Sequence, residues 1–156
     1  MAHAGDFPRN AFAIAALGSF LTIGVYALGV AQQAQGGDAI LGDWLTAEGK
    51  AKVRITRCDS LYCGTIVWLK EPMKEGKEVV DDKNPDPSRH SQKVLGMTIL
   101  WGFEYDGDDE WTGGKVYDPE NGSTYSGKMV LKDTATLKLR GYVLIPLLGR
   151  SEIWTR

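Results

Sequence analysis

Beyond residue 40, apolar side chains recur at every second position through a series of short segments, and this periodicity restricts the chain to strands with one buried face. Val53 and Ile55 alternate with Lys52 and Arg54, and Leu137 and Leu139 with Lys138 and Arg140. The segments are "ILGDWLT", "KAKVRITRC", "LYCGTIVWLK", "VLGMTILWGFEYD", "EWTGGKVYD", "STYSGKMVLK", "TLKLRGYVL" and "RSEIWTR". Their joints, "AEGK", "CDSLYC", "YDGDDEW", "DPENGS" and "KDTAT", are short and rich in Gly, Asp, Asn or Pro, as hairpin turns require. No stretch in this region combines a helical period with caps. About eight strands joined by tight turns predict an all-β fold, an antiparallel meander. Closing it into a barrel removes two exposed edges, and a sandwich of two sheets is the alternative.

The first 31 residues have a different character. A polar stretch, Met1 to Asn10, carries Arg9 and leads into an apolar run from Ala11 to Val30, the outline of a secretory signal peptide. Gly29 and Ala31 offer a cleavage site that would leave Gln32 first. The run exceeds the usual apolar core of roughly 7–15 residues. Roughly 17–25 apolar residues can span a bilayer, so an uncleaved membrane anchor is the alternative reading of residues 1–31. Either way the body of the protein is expected to be periplasmic or secreted. Residues 32–39 are polar and small, a flexible leader. Residues 40–156 are enough for a single domain with one core.

The formal charge of −2 gives no basic excess, so a nucleic-acid partner is not expected. Cys58 and Cys63 are the two cysteines. In an oxidising compartment such a pair reads as a disulfide, here stapling a hairpin between "KVRIT" and "GTIVWL". With His3 and His90 the only histidines, a zinc site of His and Cys is not expected, and no cofactor is implied.

One segment breaks the strand rhythm. Residues 71–93, "EPMKEGKEVVDDKNPDPSRHSQK", carry prolines at 72, 85 and 87 that exclude a central strand. Long loops in compact domains are often lids or binding loops. Its polar cluster is Asp81, Asn84 and Arg89 with Asp82, read either as a solvated, self-bonded loop or as the rim of a barrel mouth. In the second reading Arg89 or Arg140 takes a ligand's carboxylate or phosphate. A Ser-His-Asp set from Ser88 or Ser91, His90 and Asp81, Asp82 or Asp86 lacks any G-x-S-x-G context. Another eye-catching stretch is "GGKVYDPENGSTYSG", residues 113–127. From Asp118 it lacks the spacing and terminal Glu of a calcium loop, whereas Asp118, Pro119, Asn121 and Gly122 suit a turn. Tyr117 and Tyr125 leave that turn on opposite strands and either line a cavity or face outward.

"GDWLTAEGKAKVRI", "YCGTIVWLKEP", "DDKNPDP", "GGKVYDPENGSTYSGKMVLK" and "LRGYVLIPLLGRSEIWTR" resemble, in order and spacing, the bacterial family known as domain of unknown function 2147. The resemblance covers residues 40–156 and implies a small exported lipocalin-like or fatty-acid-binding-protein-like β-barrel, with no settled activity. After "NPDP" the chain departs from the family's pattern, placing Arg89, His90 and Lys93 in "SRHSQKVLG". Gly42 and Trp44 form the G-x-W that such barrels set at the closed end, where Arg156 or Arg140 would stack on the indole.

The leading expectation is a non-enzymatic envelope protein that holds a small hydrophobic or amphipathic molecule. Trp68, Asp81, Asn84, Arg89, Tyr117, Tyr125 and Arg140 are the candidate ligand-binding residues, and Cys58, Cys63, Trp44 and Arg156 the structural ones. Membrane contact is expected only through an uncleaved N-terminal segment. An envelope enzyme working through the 81–90 loop, and a solidly packed interaction module, are the competing readings.

Overall fold

A computed structural model describes residues 36–156; the expected signal peptide or anchor, and the start of the leader, lie outside the described residues. Ten strands follow in chain order: β1 (Gly42–Leu45), β2 (Ala51–Cys58), β3 (Leu61–Leu69), β4 (Met73–Lys74), β5 (Lys77–Glu78), β6 (Thr98–Gly107), β7 (Glu110–Asp118), β8 (Ser123–Asp133), β9 (Thr136–Tyr142) and β10 (Gly149–Thr155). Eight of them close an antiparallel barrel in the order β1-β10-β9-β8-β7-β6-β3-β2. β4 and β5 form a separate two-stranded hairpin inside the long loop. Each of the eight alternating segments supplies one barrel strand, so the meander closes and the sandwich is excluded. No helix among the described residues is long and apolar enough to cross a membrane.

The alternation has a visible cause in β2, where Ala51, Val53 and Ile55 are buried and Lys52, Arg54 and Thr56 exposed. Bulges interrupt this pattern at two places that matter for function. In β7 four residues, Trp111 to Gly114, match three in β8, Met129 to Gly127. Opposite Lys52 and Val53, β3 likewise gains one residue between Ile66 and Trp68.

One end of the barrel is packed solid. Trp44 is fully buried, its indole nitrogen donating to the Ile40 carbonyl at 2.8 Å. The Arg156 guanidinium lies 4.3 Å above the Trp44 ring and donates to the carbonyls of Thr134, Leu41 and Ala39 at 2.6, 2.9 and 3.1 Å. Asp38 accepts from Arg57 at 2.6 Å and from the Tyr62 hydroxyl at 3.2 Å, which ties residues 36–39 to this end. The Cys58–Cys63 disulfide closes the β2–β3 hairpin here, and so short a loop contributes about 2 kcal/mol by chain entropy.

Above this base, the Phe103 ring fills the barrel's width because Gly114 and Gly127 offer it no side chains: a Cβ on either would overlap the ring. Gly114→Ala should therefore cost about 1–3 kcal/mol, the usual range for overpacking a fitted core. Urea unfolding would measure it, and Phe103→Leu in the same chain should recover most of the loss. No recovery would mean that Phe103 does not set the constraint.

Candidate functional site

The opposite end of the barrel is hollow. A cavity of about 1280 Å³ opens there, and its wall includes inward side chains of three strands and of the long loop: Ile66, Leu69, Val79, Val94, Val116 and Leu139. Trp154, 2% exposed, lines it too, held by a bond from its indole nitrogen to Glu152 at 3.1 Å. Charged residues of both signs, among them Lys50, Glu120 and Arg150, line the rim. The cavity thus joins an apolar interior to a charged mouth, which suits a molecule with an apolar body and a polar head.

The long loop forms part of the wall. Strand pairing stops after an isolated bridge between Val80 and Lys93, and the Asp81 amide donates to the Gln92 carbonyl at 2.9 Å. Asp86 starts a 3-10 turn at Pro87–Arg89, its carboxylate accepting from the Ser88 amide at 3.0 Å and hydroxyl at 2.8 Å. Those two bonds hold the Asp86 carboxyl below its ordinary range.

Within the loop Asp81 is 0% exposed and has no salt bridge among those of the described residues. Its oxygens accept from the Tyr117 hydroxyl at 2.7 Å and the Asn84 amide at 2.6 Å, and the same amide donates to the Tyr117 oxygen at 3.0 Å. The Asn84 side-chain oxygen accepts from the Asp86 amide at 2.9 Å. Burial, and then the bond to Asp81, push the Tyr117 hydroxyl up to about 12. The cluster is a buried latch between the loop and β7.

Tyr117 and Tyr125 part company. Val116 pairs with Tyr125 and Tyr117 with Thr124, so the two tyrosines point to opposite faces of the hairpin. Tyr125 lines the cavity and accepts from the Asn121 amide at 3.2 Å, while Tyr117 borders the cavity and turns its hydroxyl to Asp81 of the loop. Their turn is held by Asp118, which accepts from the Glu120 amide at 2.9 Å and the Asn121 side chain at 2.8 Å. Gly122 completes it with φ of 72°, and a Cβ there would also collide with the Lys83 carbonyl, so this turn and the loop fit together only through glycine.

Other expected site residues lie elsewhere. Trp68, 41% exposed, pairs with outward-facing Lys52, whose ammonium lies 5.9 Å from the Trp68 ring, and it does not line the cavity. The place on Trp44 for which Arg140 was the alternative is taken by Arg156. Arg140 donates to the carbonyls of Pro146 and Leu147 at 2.6 and 3.2 Å and to Ser151 at 2.9 Å, clamping the β9–β10 connection. Arg89, with Gln92, Trp101 and Thr124, lines a second hollow of about 450 Å³ bordered by Asp81, Asn84 and Tyr117. The Ser88 hydroxyl is engaged by Asp86 and the His90 ring meets the Asn84 carbonyl at 2.8 Å, so these groups are not arranged as a catalytic triad. Among the described residues no group of three or more His, Cys, Asp or Glu is placed to hold a metal ion.

The apolar lining was not singled out as a site from sequence, although Ile66 and Leu139 carry the alternation that turns them inward. The reach of "TLKLRGYVL" is also shorter than its composition suggests: β9 ends at Tyr142, and Leu144 adopts φ of 68°, outside strand geometry.

The sequence model of a family described as "Uncharacterized protein conserved in bacteria (DUF2147)" matches residues 42–156. No curated protein matches the chain in sequence. Among solved structures, the fold is similar to "Protein HP1028 from the human pathogen Helicobacter pylori belongs to the lipocalin family". That similarity has a TM-score of 0.67 and 19% identity, over 75% of this chain and 82% of the other.

Proposed function

The chain belongs to the DUF2147 family, and from that membership and the geometry of the barrel we propose that it is a non-enzymatic carrier of a small amphipathic molecule in the bacterial envelope. The observation that carries this reading is the 1280 Å³ cavity, large enough for one single-chain amphiphile, apolar within and charged at its mouth. An eight-stranded barrel is just wide enough to be filled by side chains or to hold one small ligand. Here the Phe103 end takes the first course and the Leu69 end the second. An envelope location is supported by the Cys58–Cys63 disulfide, which fits an oxidising compartment, and by the apolar run at residues 11–30.

The bound molecule is expected to place its chain against Ile66, Val116 and Leu139, with its head among Lys50, Arg150 and Tyr125. Titrating the protein with a fluorescent polyene fatty acid should give saturable binding to one site, displaced by unlabelled fatty acids. Leu69→Glu, which sets a carboxylate in the half-buried wall, should weaken that binding about tenfold or more, since losing one buried leucine contact is worth about 1.4 kcal/mol or more. Absence of saturable binding, or binding indifferent to Leu69→Glu in a chain that still folds by circular dichroism, would reject the carrier reading.

A further inference from the structure

Between β9 and β10 the chain runs Val143, Leu144, Ile145, Pro146, Leu147, Leu148, without a polar side chain. Val143 is 57% exposed, Leu144 88%, Ile145 50%, Leu147 82% and Leu148 68%. Single exposed leucines are ordinary on protein surfaces, but contiguous exposed apolar groups mark a place that meets a partner or a membrane.

Much of the backbone of this loop is bonded within the protein. The carbonyls of Val143 and Ile145 accept from the amides of Ile145 and Leu148, at 2.9 and 3.1 Å. Those of Pro146 and Leu147 accept from the Arg140 guanidinium, and the Gly149 amide also turns back to Pro146. Pro146 has no amide hydrogen to satisfy. Four of the six carbonyls of residues 143–148 are thereby paired within the protein, which lowers the cost of bringing this backbone into a hydrocarbon boundary.

Charge points the same way. No acidic residue lies between Asp133 and Glu152, whereas Lys138, Arg140 and Arg150 do, and Tyr142 stands at the shoulder of the loop. Cations and a tyrosine flanking an apolar tip match the layering of an anionic bilayer surface, with phosphates outside and acyl chains within. The tip suits a second protein less well: five side chains on one projecting loop compare with roughly 20–30 residues a side in a standard interface.

We propose that the 143–148 loop is a membrane-docking tip that meets an anionic bilayer, with Leu144 and Leu147 in the acyl boundary. Val143 and Leu148 also border the cavity, whereas Leu144 and Leu147, the two most exposed side chains of the loop, do not, so docking is read at those two positions.

The test uses the full chain with an environment-sensitive nitrobenzoxadiazole dye on Leu147→Cys, the native cysteines being paired in the disulfide. A second chain carries the dye on Asp108→Cys, in the β6–β7 turn at the closed end. Vesicles of phosphatidylethanolamine and phosphatidylglycerol should raise and blue-shift the emission at position 147 and leave position 108 unchanged. Adding Leu144→Asp, at a position outside the cavity lining, should weaken the response of the 147 label about tenfold or more. Leu69→Glu should leave it intact, which separates failure of docking from failure of the carrier reading. A 147 label that stays as wet as the 108 label overturns the proposal. So does a shift without vesicles, which would assign the loop to a second copy if it grows with protein concentration, or to residues 11–30 if it does not.

Discussion

Trp44→Ala should destabilise the barrel by about 3–5 kcal/mol, the range for deleting a large aromatic from a packed core. The indole is fully buried, bonded to Ile40 and capped by Arg156, so nothing nearby is free to collapse into the space it leaves. Arg156→Ala should cost less, about 1–3 kcal/mol. It removes the stacking and three bonds to carbonyls, but the guanidinium is exposed and water replaces part of what is lost. Urea unfolding of the two single variants and the double variant would measure both costs and their coupling. A Trp44→Ala loss below about 1 kcal/mol would show that the closed end is not where the fold's stability resides.

Asp81→Ala should be comparably severe for a different reason. It strands the Tyr117 hydroxyl and an Asn84 amide hydrogen in a buried setting, each costing about 1–3 kcal/mol when left unpaired. Because the loop that Asp81 latches also forms part of the cavity wall through Val79, the same variant should weaken amphiphile binding. Tyr117→Phe should show a milder loss and a distinctive pH dependence. The folded chain holds the Tyr117 proton up to about 12, against an ordinary value of 10.0, so it binds that proton more tightly than the unfolded chain does. The stability this represents is complete below about pH 10 and is lost as the pH rises towards about 12. Unfolding midpoints for the native chain and Tyr117→Phe should therefore converge across that interval. Curves that stay parallel would remove the latch from the alkaline behaviour of the protein.

The strands were legible because period-two alternation and Gly/Asp turns carry the same message, and a stack on Trp44 because G-x-W marks the closed end of such barrels, although the choice between Arg156 and Arg140 was settled only by the fold. Directions of individual side chains were less legible, and bulges are the reason. Counting every second residue from buried Trp111 turns Tyr117 inward, but the extra residue before Gly114 reverses the parity and delivers Tyr117 to Asp81. Counting from Tyr62 and Ile66 likewise turns Trp68 inward, and the added residue in β3 sets it beside Lys52 instead. The polar grouping of Asp81 and Asn84 was visible in the loop, while its third member lies 36 residues from Asp81 and is joined to it only by the fold. Arg140 belonged to the outward set from the start, yet its task, gathering the carbonyls of a following loop, leaves no periodic trace in sequence.

The Phe103 ring, seated against two glycines, divides the protein into a part that must be conserved in shape and a part that need not be. Below the ring, a change of one methyl group is felt by the whole closed end. Above it, positions such as Leu69, Val79 and Val116 face an opening, where altered size or polarity changes what is admitted before it changes whether the chain folds. If the barrel is the carrier proposed above, such a division would let relatives diverge in cargo while inheriting the same base.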